Sequence, residues 1–177
     1  GPVVNNATFQ NFGVVDGLVS NNGTYIQIGT LSGGLTNNGA ASIRGVLNGS
    51  VDNQSGSVTL TGTLTGLAAF NQSAGATFNL ANLNATIGSL AGEGDVLLGS
   101  GRLTLGGNDA STIFGGVISG SGDITKVGTG EFLLQGANIY TGLTQVSAGT
   151  LSLAFGATIA GAIQNDATFT NFGTVAG

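Results

Sequence analysis

The chain has 177 residues, 34 of them glycine and one proline, no cysteine, histidine, methionine or tryptophan, and only 6% charged residues. Without Cys, His or Met there are no ligands for zinc, copper, haem or iron–sulfur sites, and a thiol nucleophile or Ser-His-Asp triad is excluded for the same reason. Arg44, Arg102 and Lys126 against eight acidic residues leave a net charge of −5, which excludes the basic stripe that nucleic-acid binding requires.

No apolar run is long enough to span a membrane and no signal peptide opens the chain. Gly1-Pro2 reads as a protease-cleavage scar, so the remainder is expected to be a segment of a longer protein. A glycine-rich composition can signal disorder, but 41% hydrophobic residues and a mean hydropathy of +0.35 provide material for a core. Many short strands joined by tight Gly/Asn turns reconcile the two.

Residues 3–88 carry a repeat with a period of about 16 residues. Asn5, Asn21, Asn37 and Asn53 recur at that step, as do Gly13, Gly29 and Gly45, and Gly17, Gly33 and Gly49. Val3, Val19, Leu35 and Val51 share one apolar phase, and Val15, Leu31 and Leu47 another. A single inserted residue near Gly56 shifts the phase to Gly62, Leu64 and Gly66. Glycines interrupt every unit too early for a helix, whereas Thr24-Tyr25-Ile26-Gln27-Ile28 and residues 58–65 alternate with period two.

Longer units are predicted over 89–161, and the short unit returns over 162–177. There IQNDATFTNFGTVAG (163–177) matches VVNNATFQNFGVVDG (3–17), pairing Asn5 with Asn165, Phe9 with Phe169, Phe12 with Phe172, Gly13 with Gly173 and Val15 with Val175. Units running from about 16 up to roughly 26 residues, with three short strands each, are the size of one turn of a right-handed parallel β-helix, an all-β solenoid. About nine coils stacked at about 4.8 Å make one continuous rod roughly 40–45 Å long. In such a stack the four asparagines form a structural ladder, and Val, Leu, Ile and Phe form a core shared between neighbouring coils.

Residues 116–153, GVISGSGDITKVGTGEFLLQGANIYTGLTQVSAGTLSL, resemble the passenger-associated transport repeat of bacterial autotransporters, secreted by the type V route. The resemblance rests on Gly120, Gly122, Lys126, Gly128, Gly130, Gly136, Asn138, Tyr140, Thr141, Gly142, Thr144, Gly149, Thr150 and Leu151, with departures at Glu131, Ile139 and Leu143. It implies a β-helical passenger held at the outer surface of a Gram-negative cell by a C-terminal outer-membrane barrel elsewhere in the parent chain. It further implies a repeat that assists passenger export and folding, in proteins that commonly serve adhesion, autoaggregation or biofilm formation.

Candidate sites are sparse. Glu93 and Asp95 are the one close carboxylate pair, set on one face by alternation with Arg102 on the return, but they make no convergent catalytic constellation. Gly106-Gly107-Asn108-Asp109 echoes part of a calcium nonapeptide once, without the consecutive copies that supply shared ligands. Thr59, Thr61, Thr63 and Thr65 suit a strand, Asn22-Gly23-Thr24 is a sequon, and Asp123 and Lys126 read as solvated turn residues that could pair. The expectation is therefore a non-enzymatic segment without catalytic, metal or cofactor residues: a shaft of a surface adhesin. Its partners would be host surface, matrix, glycans or further copies of itself. The alternative is the scaffold of a passenger whose enzymatic or toxin domain lies outside these residues.

Overall fold

The computed structural model describes residues 1–66 and 68–177. Among them every paired strand runs parallel and no helix occurs. The strands stack into a β-solenoid of ten coils, one more than the sequence suggests. The first face is a ten-stranded ladder from Val3–Asn5 through Leu35–Asn37, Ala69–Gln72 and Glu131–Leu134 to Thr168–Asn171; coils are numbered 1 to 10 by these strands.

The second and third faces each take one short strand from most coils. In coils 3 and 4 these two strands fuse into single bent elements, Ala40–Leu47 and Ser57–Thr65. The bend in coil 3 falls at Gly45, whose φ of +106° is a conformation glycine adopts without a Cβ clash.

The step of 16 residues read from the sequence is the coil length for the first coils. Val3 pairs with Val19, Leu35 and Val51 in turn, and Val15 with Leu31 and Leu47. Later coils are longer. The step from Asn53 to Gln72 is 19 residues, and it is about 20 residues where Thr112 pairs with Phe132 and Ile124 with Thr144.

The register shift read near Gly56 is corrected. The insertion near Gly56 is present, since Ser57 lies opposite Ala40, but it is not the only one. Leu60 still faces Ile43 while Leu64 faces Gly45, so further residues around Gly62 bulge out between them. The returning C-terminal motif also sits one face out of phase. Val3–Asn5 lies on the first face, whereas its counterpart Ile163–Asn165 continues the third. Likewise Thr8–Asn11 lies on the second face and Thr168–Asn171 on the first.

The core consists of columns along the rod. Tyr25, Ala41, Val58, Phe78, Val96 and Ile118 stack on the second face, and Phe132, Leu151 and Phe169 on the first. All but Phe169 in these columns are at most 2% exposed, and burying each large apolar side chain contributes about 1.5–3 kcal/mol. Alternation along each strand sends the intervening residues outward, where Thr, Ser and Asn predominate.

Glycines let the corners close. A Cβ on Gly29, Gly122 or Gly136 would stand 1.9–2.0 Å from the carbonyl oxygen of Gly13, Gly101 or Gly116 in the coil before. The glycine columns of the sequence are thus sites of backbone-on-backbone contact.

Candidate functional site

The asparagine column is an interior feature. Asn21, Asn37 and Asn53 end their strands fully buried. Each amide Nδ2 donates to the oxygen of the next rung: Asn5 to Asn21 at 2.6 Å, Asn21 to Asn37 at 2.7 Å, Asn37 to Asn53 at 2.9 Å and Asn53 to Gln72 Oε1 at 2.9 Å. Each also braces its corner, as when Asn37 donates to the carbonyl oxygens of Gly39 and Ser57. The ladder ends because the rung after Gln72 is Gly92, and Gln72 Nε2 has no partner among the described residues.

A second inner cluster escaped the sequence reading. Asn11 Nδ2 donates to Gln27 Oε1 at 2.9 Å, which also accepts the Tyr25 hydroxyl. Burial pushes the Tyr25 phenol up to about 12. The signal was Asn11 falling two residues beyond Phe9, in the inward phase of its strand.

Four of the residues that carry the transport-repeat resemblance point inward too, whereas Thr141 is exposed. Lys126, expected as a solvated turn residue, is 1% exposed and ends the strand Ile124–Lys126 on the inner side. It does not pair with Asp123. Its Nζ donates to the carbonyl oxygens of Val127 at 2.7 Å, Gly128 at 3.0 Å and Ala148 at 3.4 Å. Burial lowers its pKa, and the nearby Asp109 charge offsets part of that shift. Asn138 donates to Gly136 O and accepts the Ile118 N–H, both at 3.0 Å. Tyr140 and Thr144, both fully buried, join hydroxyls at 2.5 Å, and burial pushes the Tyr140 phenol up to about 12. Replacing Lys126 with methionine leaves those three carbonyls short of a donor, and a loss of about 2–4 kcal/mol in chemical denaturation is expected.

The remaining candidates lie outside and apart. Glu93 and Asp95 are both exposed, flanking the buried Gly94. Arg102 is drawn away from them into a surface ion pair with Asp123 at 3.0 Å. Asp109 and Asn108 pin turns: Asp109 Oδ1 accepts the Thr129 N–H at 2.7 Å and its hydroxyl at 3.1 Å, and Asn108 donates to Ser89 Oγ. Among the described residues no group of three or more acidic side chains is placed to hold a metal ion. Thr59 has Ser42 and Asn79 as register neighbours, so its column is not one of threonines, whereas on the third face Thr86, Thr104 and Thr125 stack in register. Asn22 of the sequon belongs to an outer ladder with Asn6 and Asn38.

Two of these carboxylates titrate low. Hydrogen bonds from Thr129 hold Asp109 below the ordinary carboxylate range, and Arg102 with the Leu143 N–H does so for Asp123. A depressed folded pKa stabilises above the unfolded value and is lost as pH falls through the folded one. Denaturation midpoints should therefore drop on acidification below about pH 4, and an Asp109→Asn/Asp123→Asn variant should lose part of that drop.

A groove opens on the outer surface. Glu131, Leu133, Thr150, Ser152, Ala154, Phe155, Thr170 and Phe172 line about 640 Å³ on the first face of coils 8 to 10. Phe155 is 94% and Phe172 69% exposed. Glu131 Oε1 accepts the Ser152 hydroxyl at 2.5 Å. The sequence hinted at this only through Asn-Phe-Gly at 171–173 and Ala-Phe-Gly at 154–156, each setting a phenylalanine on a corner.

Residues 124–153 match the family model of the passenger-associated-transport-repeat. The adhesin BmaC autotransporter of Brucella suis biovar 1 (strain 1330) is 44% identical over 61 residues, 34% of this chain. The chain spans 2% of that relative's length. No solved structure matches.

Proposed function

We propose that this chain, a segment of an autotransporter passenger, is a non-enzymatic shaft of a surface adhesin, and that its transport repeat helps neighbouring coils fold during export. The observation that carries the export reading is the direction of the signature residues. Lys126, Asn138, Tyr140 and Thr144 all face the interior, and the repeat glycines lie against the backbone of the coil before. A motif with Lys126, Asn138, Tyr140 and Thr144 turned inward leaves none of those four side chains for a ligand. What it supplies is a coil with a fixed register, onto which an adjacent coil can form its contacts locally as the chain emerges.

The adhesive reading draws on the adhesin relative and on an outer surface of Thr, Ser and Asn ladders with few charges, which can meet another surface through many weak contacts. In this reading the parent chain continues into an outer-membrane barrel, and the segment stands at the cell surface, where it supports attachment, autoaggregation or biofilm formation.

Bacteria displaying the parent passenger with the Lys126→Met/Asn138→Leu pair provide the test. Export is expected to fall and protease-sensitive passenger to accumulate. Once the amount displayed is matched, adhesion should be retained. Normal export and protease resistance in the variant would defeat the export reading. A displayed passenger that confers neither attachment nor aggregation would defeat the adhesive one.

A further inference from the structure

We propose that the groove on coils 8 to 10 is a recognition site for a basic side chain on an extended peptide of a partner protein. The proposal names the partner chemistry for the adhesive function above and rests on that reading.

The groove gathers apolar surface from three successive coils. Phe155 stands almost free on the turn before Gly156, whose φ is +81°. Leu133 forms part of the floor, and the half-exposed Ile113, its register partner in coil 7, continues the apolar strip. Phe172 is 69% exposed, and Phe12, which follows the matching motif on another face of coil 1, is 67% exposed. A hydrophobic patch held open on a rigid scaffold is the mark of an interaction surface.

The charge in the groove decides the occupant. Glu131 is the single ionisable residue among those lining it. Its Oε1 is fixed by the Ser152 hydroxyl, and no cation neutralises it, the ion pair among the described residues being Arg102–Asp123. The amine of Lys126 is enclosed by carbonyls. A fixed carboxylate in a groove also lined by two exposed phenylalanines favours a cation twice over, by charge and by the ring quadrupole. An aliphatic stem laid on Leu133 and Ala154 would carry that cation, which describes a lysine or arginine side chain. A neutral sugar fits less well, since one of the three hydroxyls in the groove is already bonded to Glu131. The volume accommodates two or three side chains.

Calorimetric titration of the 177-residue chain with a hexapeptide of alternating valine and lysine tests the proposal. Its valine–glutamate counterpart and cellohexaose serve as comparisons. Binding is expected for the lysine peptide alone, and tighter at low ionic strength. Glu131→Gln should weaken it about tenfold and Phe155→Ser by a similar factor, while Phe12→Ser leaves it unchanged. Both groove residues are exposed, so the fold tolerates the variants. Equal binding of the glutamate peptide, preference for cellohexaose, or indifference to both groove variants would overturn the proposal. Cell adhesion separates it from the reading beneath. Displayed passenger that adheres equally well with both groove substitutions overturns the groove's role and leaves the adhesin standing. Lysine-peptide binding by a passenger that never adheres overturns the adhesin and leaves the groove.

Discussion

Replacing Asn37 with leucine is expected to destabilise the chain by about 3–5 kcal/mol. Leucine matches the side chain in size and keeps the rung filled, so the loss is one of hydrogen bonding. Asn37 accepts from Asn21 and donates to Asn53, Gly39 and Ser57. Its removal leaves the Asn53 amide oxygen and the Ser57 carbonyl without that donor, away from water. The same change at Asn5, where the ladder has no rung before it among the described residues and the side chain is 6% exposed, should cost about 1 kcal/mol. Urea denaturation of the two variants measures the difference. Equal, small losses would mean that the column is a consequence of the coil and does not hold it.

Gly122→Ala should cost as much by a different route. The new methyl carbon would stand 1.9 Å from Gly101 O, with Gly101 C and N at 2.9 and 3.0 Å. These are backbone atoms, so relief requires the two coils to part at a corner of the transport repeat. A loss of about 3–5 kcal/mol is expected. Two controls isolate the cause. Gly156→Ala meets open space but a φ of +81°, and should cost about 1 kcal/mol. Gly13→Ala meets open space at an ordinary φ and should stay within about 0.5 kcal/mol. Thermal melts of the three variants should rank in that order. A Gly122→Ala melt close to that of Gly13→Ala would contradict the contact.

The parts of this fold legible in the sequence are those where coil length is constant. With 16 residues per coil, positions sharing a column share a chemical type, and Val3, Val19, Leu35 and Val51 announce their own register. Once a corner lengthens, that link breaks. The slip around Gly62 follows the bend at Gly45 and leaves no change of pattern in a run that alternates on either side. The shift of the C-terminal motif to another face was invisible for a deeper reason. Strands on different faces can be closed by the same Asn turn: Asn165 Oδ1 accepts the Ala167 N–H just as Asn5 Oδ1 accepts that of Ala7. Sequence similarity therefore identifies the kind of rung and not the side of the prism it occupies.

Lys126 shows a different failure. Alternation along Ile124-Thr125-Lys126 places it beside Ile124 on the inner side, but a charge is usually assigned to solvent. Three backbone carbonyls at a corner are what make the inward position tenable. The groove was out of reach because its residues come from three coils and meet only through stacking.

Side-chain amide exchange in the 177-residue chain tests most directly whether the polar residues of the shaft join coil to coil from within. Asn21, Asn37, Asn53 and Asn138 are buried in the interior, whereas Asn22 and Asn38 form the same kind of pair on the outside. The interior amides should exchange at least about a thousandfold more slowly than the outer two, opening only with the coils themselves. Comparable exchange for both sets would place the interior ladder in contact with solvent and contradict the account.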